Sequence, residues 1–128
     1  MADKMIIFSP KVRKSPWYAH AVRTGHMVYS SGITPVDPAT GRIEGDIRAQ
    51  TRLVLTNLKN VLEEASSSLE NVIKVTAYLA DIDDFDAYNE VYGEFFLENN
   101  RPARTTVQVG RFRGGMLVEI EAVSVVND

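Results

Sequence analysis

Two periods of hydrophobic recurrence alternate along this chain, and their boundaries lay out its elements. Short apolar, β-branched runs come first: KMIIF (4–8), then AHAV (19–22) and HMVYSSG (26–32), the last two joined at RTG as a hairpin signalled by the glycine. SPKVRKSPW, between the first two runs, is a polar connection with two prolines, and TPVDPATGRIEG (34–45) reads as exposed and turn-rich. From Asp46 the period lengthens. Ile47, Val54, Leu55, Leu58, Val61, Leu62 and Ala65 recur at helical spacing, while Arg48, Arg52, Lys59 and Glu63 fall largely outside the stripe. The Asp46 carboxylate can accept the orphan amides of that helix's first turn. ASSSLENV breaks the pattern, and VIKVTAYLA (72–80) returns to strand alternation.

Asp83 or Asp84 opens a second helix, with Phe85, Tyr88, Val91, Tyr92, Phe95 and Phe96 as a wide aromatic face. Helical spacing against a sheet accounts for that face as core, without a cofactor. TTVQVG (105–110) and MLVEIEAVSVV (116–126) read as a C-terminal hairpin turning at Gly114-Gly115. The order β, β, β, α, β, α, β, β predicts one α+β domain over residues 1–128: a mainly antiparallel sheet of about six strands with both helices packed on one face. Such a sheet has a second face that must be solvated or covered by another subunit. In the last strand Leu117, Glu119, Glu121 and Val123 share one face and Val118, Ile120 and Ala122 the other, so the mixed face is a candidate interface with a polar pocket.

Composition narrows the chemistry. The 128 residues are 45% hydrophobic and 24% charged, enough for a core without staples or metals. There is no cysteine, which excludes disulfides and thiolate chemistry and fits a reducing compartment, so a cytoplasmic location is expected. The start has no signal-peptide pattern, and no apolar run reaches the roughly 20 residues of a membrane span. A net charge of −3 leaves no overall basic character, so nucleic acid is not expected as a partner.

His20 and His26 are the only histidines and have no HExxH-like spacing, so no metal is predicted. Ser30 and Ser31 do not sit in a nucleophile elbow, and no phosphate-binding glycine loop is present. Arg101, Arg104, Arg111 and Arg113 form a basic cluster that could grip phosphates or be a solvated edge. Arg104, before an alternating run, offers a planar, permanently charged fork suited to a carboxylate.

The block RPARTTVQVGRFRGGMLVEIEAVSVV, with YSSGITPVDPATGRIEGDIRAQTRLVLTNLKNVLEEA and VIKVTAYLADIDDFDAYNEVYGEFF before it, resembles the YjgF/YER057c/RidA family of reactive-intermediate deaminases over 8–126. The resemblance implies a chorismate-mutase-like (YjgF-like) fold assembled as a homotrimer, with a site in each cleft between subunits and no cofactor. It implies hydrolysis of 2-imino or enamine acids, of the 2-iminopropanoate/2-aminoacrylate and 2-iminobutanoate type, to 2-oxo acids and ammonia. An endoribonuclease or translation inhibitor, and a catalytically quiet trimer binding metabolites or proteins, are the alternatives. By resemblance Arg104 pairs with the substrate carboxylate, Glu119 positions or activates water, and Thr106, Tyr18, Ser31 and Asn89 bind substrate. PWYAHA, SGITP and RFRGG depart from the family's motifs, so Trp17, Ala19 and His20 bear on substrate preference.

Overall fold

A computed structural model describes residues 3–128. Six strands form one sheet: β1 (Met5–Ile7), β2 (Ala21–Thr24), β3 (Met27–Ser30), β4 (Val72–Leu79), β5 (Ala103–Gln108) and β6 (Val118–Val125). Their order across the sheet is β1-β2-β3-β6-β4-β5. Every pairing is antiparallel except β4 with β5. The helices, α1 (Ile47–Glu64) and α2 (Phe85–Phe95), cover one face, giving the expected α+β architecture.

All seven residues of the predicted α1 stripe are buried. Fully burying one such aliphatic side chain is worth about 1.5–3 kcal/mol, so the stripe dominates this helix's stability. Its N-terminus is set where the sequence places it: Asp46 Oδ1 accepts from the Ala49 amide at 2.9 Å, a cap of about 1 kcal/mol. Asp84 is the residue before α2, but its side chain caps nothing. Instead Asp81 accepts from the Asp83 amide and opens a 3-10 turn (Ile82–Asp84) that runs into the helix. Exposed ion pairs Arg48–Glu90 and Arg52–Glu94, each 2.8 Å, join the two helices.

The C-terminal hairpin is not formed. β4–α2–β5 is a crossover unit, so β5 lies parallel to β4 on the sheet's edge. β6 enters the slot between β3 and β4 and is antiparallel to both. The connection 109–117 therefore passes over the end of β4 instead of turning tightly. Buried Gln50 pins it: the side chain donates to the Gly45 and Gly115 carbonyls and accepts from the Leu117 amide at 2.8 Å. The inward residues of β6, Val118, Ile120, Ala122 and Ser124, are buried against the helices. On the face without helices Ile6, Tyr29 and Val107 stand 50%, 47% and 42% exposed, a large apolar component for an open surface.

Candidate active site

Register places Arg104 beside Val75 and Thr106 beside Ala77. Val75 and Ala77 are wholly buried beneath the helices, so Arg104 and Thr106 emerge on the helix-covered side at the exposed edge. There the guanidinium rests on three rings of α2, its carbon 4.6 Å from the Tyr92 centroid, 5.1 Å from Tyr88 and 5.6 Å from Phe85. Each such contact attracts the cation, by about 0.5–2 kcal/mol depending on solvation. Nη1 donates to Asn89 Oδ1 at 2.7 Å, which fixes the plane of the fork. No carboxylate lies within ion-pair distance of Arg104 among the described residues. It is an oriented cation with donor capacity left over.

Thr106 is tied to the same cluster, its hydroxyl 3.1 Å from that of Tyr88. Burial pushes the Tyr88 phenol up, opposed by the Thr106 hydrogen bond and the Arg104 charge. Burial first, then Tyr88, raises Tyr92 to about 12, so both rings stay neutral beside the arginine. Read from the sequence, Tyr88 and Tyr92 are core. They are core, and they are also the platform of the site. The available signal was tyrosine, in place of phenylalanine, within an otherwise apolar helical stripe.

Glu119 belongs to a second cluster. It pairs across the sheet with Tyr78, three positions along β4 from Val75, and an odd offset puts it on the opposite face from Arg104. Its carboxylate lies over Gly32, where a β-carbon would come within 2.6 Å of Oε2. Burial, then the neighbouring Glu121, holds the Glu119 carboxyl above the usual carboxylate range. Glu121 itself accepts from the Tyr78 hydroxyl at 2.6 Å, a bond that helps raise that phenol to about 12. Ser31, next to Gly32, donates its hydroxyl to the Ala19 carbonyl at 2.6 Å. Its proton is thus committed to holding the 17–20 segment beside β3, with only the oxygen's acceptor capacity left. Tyr18, in that segment, is 51% exposed and Trp17 is 88% exposed.

So Arg104, Thr106 and Asn89 are gathered on one side of the sheet, and Glu119 and Ser31, with the Tyr18 segment, around Gly32 on the other. His20 is in neither group. It is buried, with Nδ1 accepting from the Ser9 amide at 2.9 Å and Nε2 2.8 Å from the Arg13 carbonyl, and so acts as a structural staple of the 9–20 segment. The basic cluster disperses as well. Arg101 and Arg104 stand at the start of β5 against α2, and Arg111 and Arg113 lie beyond its far end, six strand residues away, about 20 Å. No helix among the described residues is long and apolar enough to cross a membrane.

The six-stranded sheet with two helices on one face places the chain in the α+β class, and its edge strand carries an oriented arginine without an ion pair among the described residues. Residues 11–126 match the family model described as Endoribonuclease L-PSP. A RutC family protein of Pyrococcus horikoshii is 47% identical over 124 residues, covering 94% of this chain and 97% of the relative. The solved yeast protein YEO7 superimposes with a TM-score of 0.92 at 34% identity, covering 97% and 99% of the two chains. TdcF of Escherichia coli, named provisionally as a reactive intermediate deaminase, is 42% identical over 110 residues, 84% of this chain and 85% of TdcF. Its structure with bound serine gives a TM-score of 0.87, covering 96% and 99% of the chains. The chain belongs to the YjgF/RidA family.

Proposed function

We propose that the protein hydrolyses small 2-imino acids to 2-oxo acids and ammonia, at sites built between copies of the chain in a homotrimer. The observation that carries this reading is the guanidinium of Arg104, held by Asn89 and three rings with no carboxylate partner among the described residues. A planar fork in that state suits the carboxylate of a small acid, through two parallel charge-assisted bonds. The name of TdcF, and the serine bound to its structure, support the same class of ligand.

The chemistry asked of the site is modest. In the protonated imine C2 is already electrophilic. Water adds to C2 and loses a proton, the nitrogen takes up a proton, the C–N bond breaks, and the hydroxyl proton passes to the departing ammonia, so that a 2-oxo acid leaves with ammonium. Arg104 fixes the carboxylate, and orientation of this kind lowers a barrier by up to about 7–11 kcal/mol in ideal systems. Glu119, with its raised affinity for protons, receives the proton of water and passes it to the departing nitrogen, worth roughly 10²–10⁴ in rate. Thr106 contributes a hydroxyl two residues from Arg104 on the same side of β5.

Arg104 and Glu119 of one chain lie on opposite sides of its sheet, so one small molecule cannot touch both. A second copy supplies the missing half, with its open sheet face against the β5 edge of the first. The exposed Ile6, Tyr29 and Val107 support burial of that face.

The test is subunit complementation. Arg104→Ala and Glu119→Gln chains are each assayed for faster decay of 2-iminopropanoate released by an amino acid oxidase, then unfolded, mixed and refolded together. Each variant alone is inactive, and the mixture regains part of the wild-type acceleration, because some clefts join two unmutated halves. A wild-type protein without acceleration sinks the deaminase reading, and an inactive mixture of correctly assembled trimers sinks the shared site.

A further inference from the structure

Arg101 was, from the sequence, one more surface arginine; it is exposed, and the fold places it beside Arg104. Both line a cavity of about 420 Å³ between α2 and the start of β5, with Asn89, Tyr92, Gly93 and Pro102. Arg101 Nε donates to the Phe96 carbonyl at 3.3 Å, which anchors the side chain at the C-terminal end of α2. Its Nη2 lies 3.9 Å from where a Gly93 β-carbon would be, while Arg104 is held at Asn89. Asn89 and Gly93 are four residues apart on one helix face. The two guanidinium groups are therefore staggered by about one helical turn, roughly 6 Å of rise.

Two further features of the cavity find no explanation within the chain. Tyr92 is 5% exposed, yet its hydroxyl has no hydrogen-bond partner. Of the three buried side-chain atoms in that condition among the described residues, it alone belongs to a residue lining this cavity. An unpaired buried hydroxyl costs about 1–3 kcal/mol unless something completes it. Gly93 stands inside α2, where glycine costs about 1 kcal/mol against alanine. A β-carbon there would make only an ordinary contact with Arg101, so no neighbour requires the glycine. What it preserves is the space in the groove.

We propose that this groove is a second carboxylate subsite: Arg101 binds the distal carboxylate of a dicarboxylic 2-imino acid of four or five carbons while Arg104 holds the first. Two cations one helical turn apart suit two carboxylates separated by two or three carbons, and neither arginine has a carboxylate partner among the described residues. The assignment rests on the deaminase reading and specifies its substrate.

Decay of 2-iminopropanoate is compared with that of 2-iminobutanedioate and 2-iminopentanedioate, each released by an oxidase from its amino acid. In the wild type kcat/KM is higher for at least one dicarboxylate. Arg101→Gln lowers the ratio of dicarboxylate to monocarboxylate kcat/KM by about tenfold or more, the size of one lost charge-assisted bond. Gly93→Leu, which fills the groove while favouring the helix, lowers the same ratio. A wild-type ratio at or below one, or a ratio within twofold of wild type in Arg101→Gln, overturns the subsite. If no imine is hydrolysed faster, the deaminase reading has failed, and calorimetry with 2-oxopentanedioate and pyruvate decides the subsite separately. Tighter binding of the dicarboxylate that is lost in Arg101→Gln upholds it, and equal affinities overturn it.

Discussion

Gly32→Ala isolates the position of Glu119 from its presence. A β-carbon at residue 32 would lie 2.6 Å from Oε2 and 2.7 Å from Cδ of Glu119, far inside van der Waals contact. The backbone at Gly32 is not in the left-handed region, so alanine brings no strain of its own. The atoms it meets are the end of a side chain that can rotate away, toward Glu121 or outward. Such a rotation costs about 0.5–1.5 kcal/mol, which for a chain of this size is a fall in Tm of roughly 2–9 °C. The carboxylate itself must move by about an ångström. Misplacement on that scale costs on the order of 10²-fold, within the 10²–10⁴ that a general base contributes. Arg104, on the other side of the sheet, is untouched, so KM for 2-iminopropanoate stays near wild type while kcat falls about 10–100-fold. Steady-state kinetics and a thermal melt on the same preparation check both halves. Full kcat with a folded variant would refute the placement of Glu119 as the proton carrier, and a melt lowered by more than about 10 °C would refute the claim that the carboxylate yields at small cost.

Two other outcomes follow from the same geometry. Burial and Glu121 hold the Glu119 carboxyl above its ordinary range, so the native chain binds that proton more readily than the unfolded chain, and ionisation lowers stability. Glu119→Gln therefore raises the melting temperature near neutral pH, and the gain vanishes below the ordinary carboxylate range, where both states are protonated; a gain constant across pH contradicts the shift. Tyr88 is wholly buried with its hydroxyl against Thr106. Thr106→Val costs about 1–3 kcal/mol in urea unfolding because the buried phenol loses its hydrogen-bond partner, Tyr88→Phe costs about 1 or less, and the double variant is no worse than Tyr88→Phe; strictly additive losses would show that the two hydroxyls do not interact.

The legible part of this protein was the part written locally. A helical stripe is a property of residues three and four apart, so α1, its Asp46 cap and its seven buried positions could be read directly, as could the alternation that puts Glu119 and Ile120 on different faces. Arg104 could be singled out as a candidate too, through the motif around it. Strand partners are another matter, because pairing joins residues far apart in sequence. Two apolar runs flanking a Gly-Gly turn looked like a hairpin, yet the α2 crossover carried β5 to the edge and left the slot between β3 and β4 for β6. That displacement decided the site. It put Arg104 on the helix side with Tyr88 and Tyr92 beneath it, brought the exposed Arg101 beside Gly93, and left Glu119 facing the other way. The sequence determined which groups could do chemistry, since charge, planarity and periodicity travel with the residues. Only the tertiary structure decided which of them meet, because faces and neighbours are set by how distant strands pair.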